Sequence, residues 1–551
     1  MLPSGELALR TSPSHRRIYQ LSRSIASLPG PRGWPIVGSL PQISLPQLHL
    51  QLERWSDQFG PIYRVALGPN MIVCITDLDT INLMLRERPG RYRRARMLES
   101  VMSEMSINGV FSCEGDVWRR QRDFIVSALN PAHLTAFLPS LIILTHRLQR
   151  RWNACAGVGI LTDVWQDLMC FTVDVTAQLA LGIDVNTLET DGPMLQQDLA
   201  KIFPALYRRI VAPVPYWRWW RRAADRELDR VLGSIRAMIG DIIANCLTRM
   251  QAEPSRYERP TNFLEGLLAA RARSDQEMSD DEIFANVITV LLAGEDTTAS
   301  TIAWVIAFLV EHPDVFRQAR AEVDAAVDTS FGDTRDMEFF RQLKYIESII
   351  LETIRLKPAA PILGLEPLVD VELLGYHLPA GTDILTLTRR TEVGVADSVG
   401  PSECQNIGAR RQVIALETIR LKPAAPILGL EPLVDVDLLG YHLPAGTDIL
   451  TLTRPNAVRD TYFGTAREFC PDRWLSPALG AHNPRAFLAF GAGPRFCPGR
   501  ALALLEAQSV IAMLCRNFDI VGEDGSELIS EYLAFTMHPT HLRVRLLPRR
   551  D

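Results

Sequence analysis

The sequence predicts a single domain that is mainly α-helical and carries a few small β-sheets, an α+β fold. Helical spacing of apolar residues dominates Leu134–Val327. An alternating apolar pattern over Phe59–Thr76, broken by Gly68-Pro69-Asn70, is typical of a β-hairpin. Near the C-terminus, one cysteine in a loop of glycines and prolines leads directly into the apolar run Ala501–Leu505. A late helix is therefore expected just after that loop.

The composition is that of a globular protein with a large core. Of 551 residues, 47% are hydrophobic and 22% charged, and the formal net charge of −6 gives no support for nucleic-acid binding. Nine scattered cysteines without a CxxC pair argue against a disulfide framework or zinc site and for a reducing compartment. Glu295-Asp296 interrupts the longest apolar candidate, Ile283–Val310, so no membrane span is predicted.

The first 28 residues form a basic, serine-rich segment in which Glu6 is the one acidic residue. A transit peptide and a disordered basic tail both have this composition. We interpret the segment as a tail and keep the transit peptide as the alternative. Pro29–Gly38 is rich in turn-forming residues and marks the start of the globular domain, which we assign to residues 29–551.

The loop Phe490-Gly-Ala-Gly-Pro-Arg-Phe-Cys497-Pro-Gly499 has the features of an iron-ligand site. Glycines let the backbone approach a flat ligand closely. Pro498 suits the first turn of a helix, whose free N–H groups favour an anionic sulfur. A buried structural cysteine would explain Cys-Pro-Gly alone, but not the fixed offsets of the other residues. The predicted ligand is Cys497, and the predicted cofactor contacts in the loop are Phe490, Gly491, Arg495 and Gly499.

This spacing resembles the haem-thiolate loop of the cytochrome P450 family, and further motifs follow in that family's order. Trp118-Arg-Arg-Gln-Arg122 places an indole and a guanidinium on one helix face. In the family, the matching pair binds a haem propionate; a solvated amphipathic helix is the alternative for the pair alone. The resemblance implies a single-domain fold with a long distal helix, and the Cys497 loop before a proximal helix.

The predicted distal helix begins at the capping box Ser279-Asp-Asp-Glu282 and ends before Pro313. In its middle, Ala293 and Gly294 remove side-chain bulk, so that a ligand can contact the helix. The motif continues with an acid–acid–alcohol sequence, whose burial costs free energy unless these groups are paired or used. The residues predicted to be catalytic are Glu295, Asp296 and Thr297.

By the same resemblance, Thr297 hydrogen-bonds dioxygen and Asp296 links it to solvent protons. Proton delivery by such a pair makes cleavage of the O–O bond productive. A helix with satisfied polar groups is the alternative explanation of the motif.

A long repeat interrupts the C-terminal half. Leu351–Arg389 recurs as Leu416–Arg454 with one difference, Glu372 against Asp437, at an offset of 65 residues. A period seen twice at near identity is not a solenoid signature and indicates an internal duplication or a gene-model error.

Each copy carries an ExxR pair at i,i+3 spacing, and in the family this pair locks with a downstream arginine, here Arg473. The first copy continues the helical segment Leu343–Ile350, so we predict that Glu352 and Arg355 form the lock. The alternative pair is Glu417 and Arg420. Residues 361–367 lack the arginine that many relatives use for the second propionate, so Arg495 and Arg122 are expected to bear more of that role.

Residues 202–232 interleave aromatic residues with arginines. Such a segment can form a membrane-interface patch, the lid of an apolar substrate channel, or ordinary amphipathic packing. By position it resembles the family's substrate-access region, which is the interpretation we prefer.

The resemblance implies a haem b monooxygenase that inserts one atom of O2 into a small apolar organic substrate by hydroxylation or epoxidation. Two electrons would come from NAD(P)H through separate partners, a ferredoxin and its reductase, since few residues follow the Cys497 loop. We expect a monomer without a transmembrane anchor in the bacterial cytoplasm, with mitochondrial import as the alternative. A haem-binding protein disabled by the duplication and a haem-thiolate isomerase or peroxygenase are the other functions considered.

Overall fold

The structure is a computed structural model, and it describes most of the chain between residues 23 and 549. Residues 1–22 of the predicted tail lie outside the described residues. Gly68 and Pro69 of the predicted hairpin turn also lie outside them, as do Glu417 and Arg420, the alternative ExxR pair. The described ranges are 23–67, 70–129, 131–190, 195–210, 212, 214–273, 278–329, 337–359, 362–367, 371–373, 376–378, 383–386, 429–432, 436–438, 441–443, 449–452, 454–458, 460–475, 483–523, 529–533, 536–540 and 542–549.

Helices make up most of the described chain, which confirms the predicted mainly α-helical fold class. The helices are α1 Leu48–Phe59, α2 Leu78–Arg86, α3 Arg96–Glu104, α4 Gly115–Ala128, α5 Pro131–Val158, α6 Val164–Leu181, α7 Leu195–Ile210, α8 Ala223–Ala252, α9 Ser255–Glu258, α10 Phe263–Arg273, α11 Asp280–Glu311, α12 Pro313–Thr329, α13 Met337–Gln342, α14 Lys344–Leu356, α15 Arg454–Ala457 and α16 Arg500–Asn517.

The strands are short and collect into small sheets. They are β1 Arg23–Ser24, β2 Ile62–Leu67, β3 Asn70–Ile75, β4 Tyr92–Arg94, β5 Leu161–Asp163, β6 Ile362–Pro367, β7 Val371–Leu373, β8 Tyr376–Leu378, β9 Asp383–Thr386, β10 Gly429–Pro432, β11 Val436–Leu438, β12 Tyr441–Leu443, β13 Ile449–Leu452, β14 Phe518–Gly522, β15 Ser530–Leu533, β16 Met537–Thr540 and β17 Arg543–Pro548.

Their orders in the sheets are β1-β8-β7-β12-β11, β10-β4-β6-β13-β9-β3-β2, β14-β17-β5 and β15-β16. The predicted hairpin is confirmed, because β2 and β3 pair antiparallel from Ile62 opposite Ile75 to Leu67 opposite Asn70.

The central element is α11, which runs through the main hydrophobic core. Ser279 caps it: its hydroxyl accepts from the Glu282 N–H at 3.1 Å, and the Glu282 carboxylate accepts from the Ser279 N–H at 3.0 Å. Pro313 ends it by opening the next helix. α11 packs against α6, α14 and α16, so it contacts both the ExxR helix and the helix that follows the Cys497 loop.

A second, smaller core lies under the approach to the cysteine loop. It joins apolar residues of β2, β3 and α2 to Phe463, Ala486 and Leu488, which precede the loop in sequence. The loop is therefore supported from one side by an apolar cluster of its own.

Both copies of the repeat contribute strands to the same sheet. Arg93 of β4 lies opposite Glu366 of the first copy and also opposite Glu431 of the second, and these two glutamates are paired with each other. In the sheet order, β4 lies between β10 and β6, so each copy of the repeat provides a strand that pairs with β4.

One described helix, α8, is long and apolar enough to cross a membrane, judged by length and composition alone. Two bent helix pairs also meet this criterion, Gly115–Val126 with Pro131–Val158 and Asp280–Glu311 with Pro313–Val327. The prediction that the chain has no membrane-spanning segment is thus wrong on this criterion. It required an uninterrupted apolar run, whereas a helix tolerates a few separated charges over the same length.

Candidate active site

The cysteine loop is a tight turn closed on itself. The Cys497 N–H donates to the Phe490 carbonyl at 2.9 Å, and Gly491 and Gly493 adopt φ angles of 71° and 68°. A Cβ at Gly493 would lie 2.2 Å from the Leu85 carbonyl oxygen, so only glycine lets the loop pack on the end of α2. Helix α16 starts directly afterwards, with Gly499 at its N-cap.

The sulfur of Cys497 lies where backbone amides can stabilise a thiolate. Burial raises the pKa of the Cys497 thiol, while hydrogen bonds from the Gly499 and Arg500 N–H groups and the charge of Arg122 act to lower it. These N–H groups belong to the start of α16, as expected for an anionic sulfur at a helix N-terminus. Pro498 precedes the helix and does not lie within its first turn, because Gly499 holds the N-cap position.

Only one short stripe in the middle of helix α11 is accessible. Every residue from Ile283 to Leu309 is buried except Val290, Ala293, Gly294 and Thr297. Their i, i+3, i+4, i+7 spacing places them on one helix face. The predicted ligand-facing residues Ala293 and Thr297 both belong to this accessible face.

Gly294 has a different reason to be glycine from the one predicted. A Cβ at this position would lie 2.3 Å from Cγ2 of Thr176, so the missing side chain lets α11 approach α6. Its absence serves helix packing, whereas the neighbouring Ala293 is the exposed member of the stripe. That Gly294 also gives a ligand room to contact the helix stays a prediction.

The segment Glu295–Thr297 combines a hydroxyl that already donates a hydrogen bond with two buried carboxyls. Oγ1 of Thr297 donates to the Ala293 carbonyl at 2.7 Å, which leaves its lone pairs for other partners. Burial raises the pKa of Asp296 to about 7. Burial, with the charge of Asp296, raises the pKa of Glu295 well above its ordinary value. Asp296 can therefore hold and release a proton near neutral pH.

The ExxR pair of the first copy occupies a buried network. Glu352 accepts two hydrogen bonds from Arg355, at 2.6 and 2.8 Å, and one from Arg473 Nε at 2.9 Å. It also accepts from the Cys470 N–H at 3.0 Å and from Trp474 Nε1 at 2.9 Å. Burial alone would raise the pKa of Glu352, but the arginine charges and these donors lower it.

The network is linked to the cysteine loop through aromatic rings. Trp474, bonded to Glu352, meets Phe487 edge to face with ring centroids 5.0 Å apart. Phe487 in turn meets Phe490 at 6.3 Å, and the Phe490 carbonyl accepts the Cys497 N–H. Disturbing Glu352 would thus be felt at the predicted ligand.

The WxxxR motif touches the cysteine loop directly. The Arg495 guanidinium lies 4.4 Å from the centre of the buried Trp118 ring. Arg495 also donates to the Cys113 carbonyl at 3.0 Å and pairs with Glu114 at 2.5 Å. Arg122 donates to the Phe496 carbonyl. The structure therefore brings the predicted propionate-binding residues together at one side of the loop.

Two arginines that the sequence did not single out join this group. Arg88 and Arg94 are buried, and each carries guanidinium nitrogens that have no hydrogen-bond partner among the described residues. Arg495 has two such nitrogens as well. Burial and the charge of Arg495 lower the pKa of Arg88 and, to about 9, that of Arg94. The basic stretch Arg88–Arg94 was the signal available in the sequence.

Unfilled buried donors of this kind fit an anionic group that the protein must receive from outside. Haem b carries two carboxylates, and arginine is the residue best suited to bind them. The chemistry of these residues fits haem b: the Cys497 sulfur would hold the iron, the arginines would hold the propionates, and the accessible stripe of α11 would face the bound group.

The aromatic–arginine segment divides into a buried and an exposed part. Trp217 is buried and donates to the Glu104 carboxylate at 2.6 Å, whereas Trp219 and Trp220 are 77% and 72% exposed. Val214 lines a surface recess with Trp34 and Ile36, which are also exposed. Packing accounts for Trp217 and for Tyr207, which is also buried in the core, whereas the exposed Trp219 and Trp220 contribute to an apolar surface.

The chain belongs to the cytochrome P450 family. The family model described as Cytochrome P450 matches residues 28–391 and 405–546. A self-sufficient cytochrome P450 monooxygenase of Aspergillus niger is 26% identical over 95% of this chain, which spans 43% of that relative. The chloroplastic protein Lutein Deficient 5 of Arabidopsis thaliana is 24% identical over 88% of this chain and 71% of its own length. A chloroplastic cytochrome P450 of Glycine max is 23% identical over 89% of this chain and 81% of its own.

These relatives correct two expectations. The predicted ferredoxin and separate reductase are contradicted by relatives named self-sufficient, of whose length the chain spans less than half. The prediction of these partners is wrong. The three relatives are fungal and plant proteins, so they give no support for a bacterial cytoplasmic location.

We predict that Glu352→Gln lowers the free energy of unfolding by about 3–5 kcal/mol, because it leaves two buried arginines without their carboxylate. Urea unfolding followed by circular dichroism measures the change. The matched control is Glu417→Gln in the second copy, for which we expect less than about 0.5 kcal/mol. The reverse order of effects would show that the second copy fills the lock.

We predict that Asp296→Asn alters how stability depends on pH. Because the pKa of Asp296 is about 7 in the folded chain and 3.8 as the ordinary value, the folded protein binds the extra proton between these limits. Stability of the unmodified protein should fall as pH rises through that window, by up to about 4 kcal/mol. The variant should show a smaller fall, reduced by the contribution of Asp296, because Glu295 and Glu311 keep carboxyls whose pKa is raised by burial. The exposed Asp241→Asn should show the full fall. Parallel curves for all three proteins would contradict the assignment.

Proposed function

We propose that the chain is the catalytic haem-thiolate domain of a monooxygenase that inserts one atom of O2 into an apolar organic substrate. The observation that carries the proposal is the acid–alcohol pair on α11. Thr297 lies on the accessible stripe of an otherwise buried helix, and the adjacent Asp296 carboxyl is poised to exchange a proton near neutral pH. Relatives named as monooxygenases support the same reaction class.

Cys497 would hold the haem iron through its sulfur, and Arg495, Trp118 and Arg122 would hold the propionates. When bound, the haem supplies the iron at which dioxygen is activated, with the thiolate raising electron density on the metal. Hydrogen bonds from the Gly499 and Arg500 N–H groups would favour the anionic form of the sulfur. The lock around Glu352 holds the loop in the geometry that this requires.

On the other side, Thr297 and Asp296 would manage protons. The Thr297 hydroxyl already donates its proton to the Ala293 carbonyl, so toward the oxygen site it acts as a hydrogen-bond acceptor. Asp296 is buried, and no residue in the described part of the chain forms an ion pair with it. It would therefore be able to pass a proton from solvent toward Thr297. Glu295, more strongly desolvated and without a partner for Oε1 among the described residues, would stay protonated and support Asp296 electrostatically.

Two other functions remain as candidates. An isomerase or peroxygenase would need the same thiolate ligand but no proton relay, so the raised pKa of Asp296 favours the monooxygenase. A haem-binding protein disabled by its duplication would need a broken lock. Against this, Glu352 of the first copy accepts hydrogen bonds from four residues.

The first test is the absorption spectrum of the reduced protein with carbon monoxide. We expect the strongly red-shifted Soret band that thiolate ligation produces. Cys497→Ser should lose this band, and Cys470→Ser, a half-buried cysteine beside the lock, should keep it. An unshifted band in the unmodified protein would favour the disabled haem protein. A shifted band in Cys497→Ser would assign the ligand to another cysteine.

The second test addresses the reaction. With a bound apolar substrate, a surrogate electron donor and isotopically labelled dioxygen, one labelled atom should enter the product and one should enter water. Thr297→Ala should lower the product formed per electron pair by about tenfold or more, since a positioned proton-transfer group contributes at least that much.

The matched control for this test is Thr301→Ala. Thr301 lies one turn away, is buried, and makes the same kind of bond, to the Thr297 carbonyl at 2.9 Å. Its removal should leave the coupling unchanged. Unchanged coupling in Thr297→Ala would remove the proton-relay role. Product formation from peroxide alone at an equal rate would favour the peroxygenase.

A further inference from the structure

A cleft lies between four helices in a part of the molecule that the proposed reaction does not use. It encloses about 330 Å³ and is lined by residues of α5, α12, α13 and α16. None of its described lining residues belongs to α11 or to the Cys497 loop. About 300 Å³ is the lower end of the volumes of ligand pockets in proteins. The cleft is therefore large enough for a compact organic molecule.

The floor of the cleft is apolar. It consists of buried side chains that come from all four helices: Ile142, Val323, Phe339, Phe340, Ala512 and Met513. The rings of Phe339 and Phe340 meet edge to face, with their centroids 5.2 Å apart. Aromatic rings attract one another through their faces and edges, in addition to the apolar area that they bury. The floor therefore favours a flat aromatic group over an aliphatic chain.

The rim of the cleft is polar and carries one fixed charge. It consists of His146, Gln149, Arg516 and Asn517. Nε2 of Gln149 donates to Oδ1 of Asn517 at 2.8 Å, and Nδ2 of Asn517 donates to the Met513 carbonyl at 2.7 Å, so both amides are held in place. His146 and Arg516 are exposed, and no described residue forms a hydrogen bond or ion pair with either side chain.

The described lining offers no carboxylate to balance Arg516. The acid that senses its charge is Asp324 of α12, whose pKa is lowered mainly by hydrogen bonds from Arg549 and to a smaller extent by Arg516. Both oxygens of Asp324 accept hydrogen bonds from Arg549, each at 2.8 Å. Arg516 can therefore pair with an anion that enters the cleft.

We propose that this cleft binds a compact aromatic carboxylate, with the ring on the apolar floor and the carboxylate against Arg516 at the rim. The planar guanidinium group matches a carboxylate in shape and charge. Such a ligand would contact α16, the helix that starts beside Cys497, and α13, which directly precedes the ExxR helix α14. The site is separate from the accessible stripe of α11 and goes beyond the proposed reaction.

The test measures binding of naphthoate to the purified full-length protein by isothermal titration calorimetry. Naphthamide is the matched probe, because it has the same rings and no charge. We expect naphthoate to bind about fivefold more tightly than naphthamide, the usual size of an ion pair at an exposed rim. Decanoate, which has the same charge on an alkyl chain, should bind more weakly than naphthoate.

The first variant is Arg516→Gln, which should remove the preference for naphthoate over naphthamide. The matched control is Arg341→Gln, an exposed arginine of α13 outside the lining, which should keep the preference. The second variant, Ala512→Leu, adds bulk to the floor and should weaken binding of both probes by about tenfold or more. Its melting temperature checks that it folds, and Arg516→Gln at the surface tests the site independently.

Absence of naphthoate binding at millimolar concentration would overturn the assignment. A preference for the carboxylate that survives in Arg516→Gln would place the probe elsewhere and overturn it as well. Tighter binding of decanoate than of naphthoate would overturn the aromatic class of the ligand. If the protein shows the thiolate-ligated haem spectrum without binding naphthoate, only this assignment fails. If it binds naphthoate as expected and shows no such spectrum, only the proposed function fails.

Discussion

The carboxylate of Glu352 is the interaction on which the rest of this structure depends. It is fully buried, and it satisfies two buried arginines, one backbone N–H and one indole at the same time. Arg355 and Arg473 donate further hydrogen bonds to backbone carbonyls between residues 457 and 466. The described residues of this segment have little secondary structure of their own. One charge thereby fixes an irregular chain that no helix or sheet would hold.

The hydrogen bonds of Glu352 also help to fix the conformation of the Cys497 loop. The segment held by the arginines carries Trp474, whose ring contact passes through Phe487 to Phe490, and Phe490 closes the loop around Cys497. The same loop is fixed on its other side by Gly493 against α2 and by Arg495 over Trp118. The geometry of a ligand on a loop is thus determined by contacts with rigid elements on both sides, which is what a preorganised site requires.

The site has buried arginines beside the cysteine loop and buried carboxyls on α11, and these two groups have different physical consequences. Burial lowers the pKa of Arg88 and, to about 9, that of Arg94, so a bound anion would favour the charged form of both side chains. Burial raises the pKa of the α11 carboxyls, which favours their protonated form. The basic cluster therefore suits binding of an anion, whereas a titrating acid suits proton transfer.

Local patterns in the sequence predicted the elements that a short window can encode. The capping box of α11, the hairpin of β2 and β3, and the ExxR spacing at Glu352 all depend on neighbours within a few residues. The role of Gly294 could not be predicted in this way, because its reason lies in Thr176 on another helix. Arg88 and Arg94 were missed for the same cause: they become a site only when the fold brings Arg495 beside them.

The duplication shows why one copy of the repeat fills the ExxR lock although both copies provide strands to the same sheet. Strand β10 repeats the last four residues of β6, so the side-chain pattern gives the sheet no means of distinguishing the two copies there. Insertion of the extra copy costs little in chain entropy, because loop closure depends only weakly on length. The ExxR pair is different, because Glu352 lies on a helix that starts at Lys344, before the repeat. The upstream turns of α14 pack in the core and carry Glu352 and Arg355 to Arg473. Uniqueness at the lock therefore comes from sequence outside the repeat.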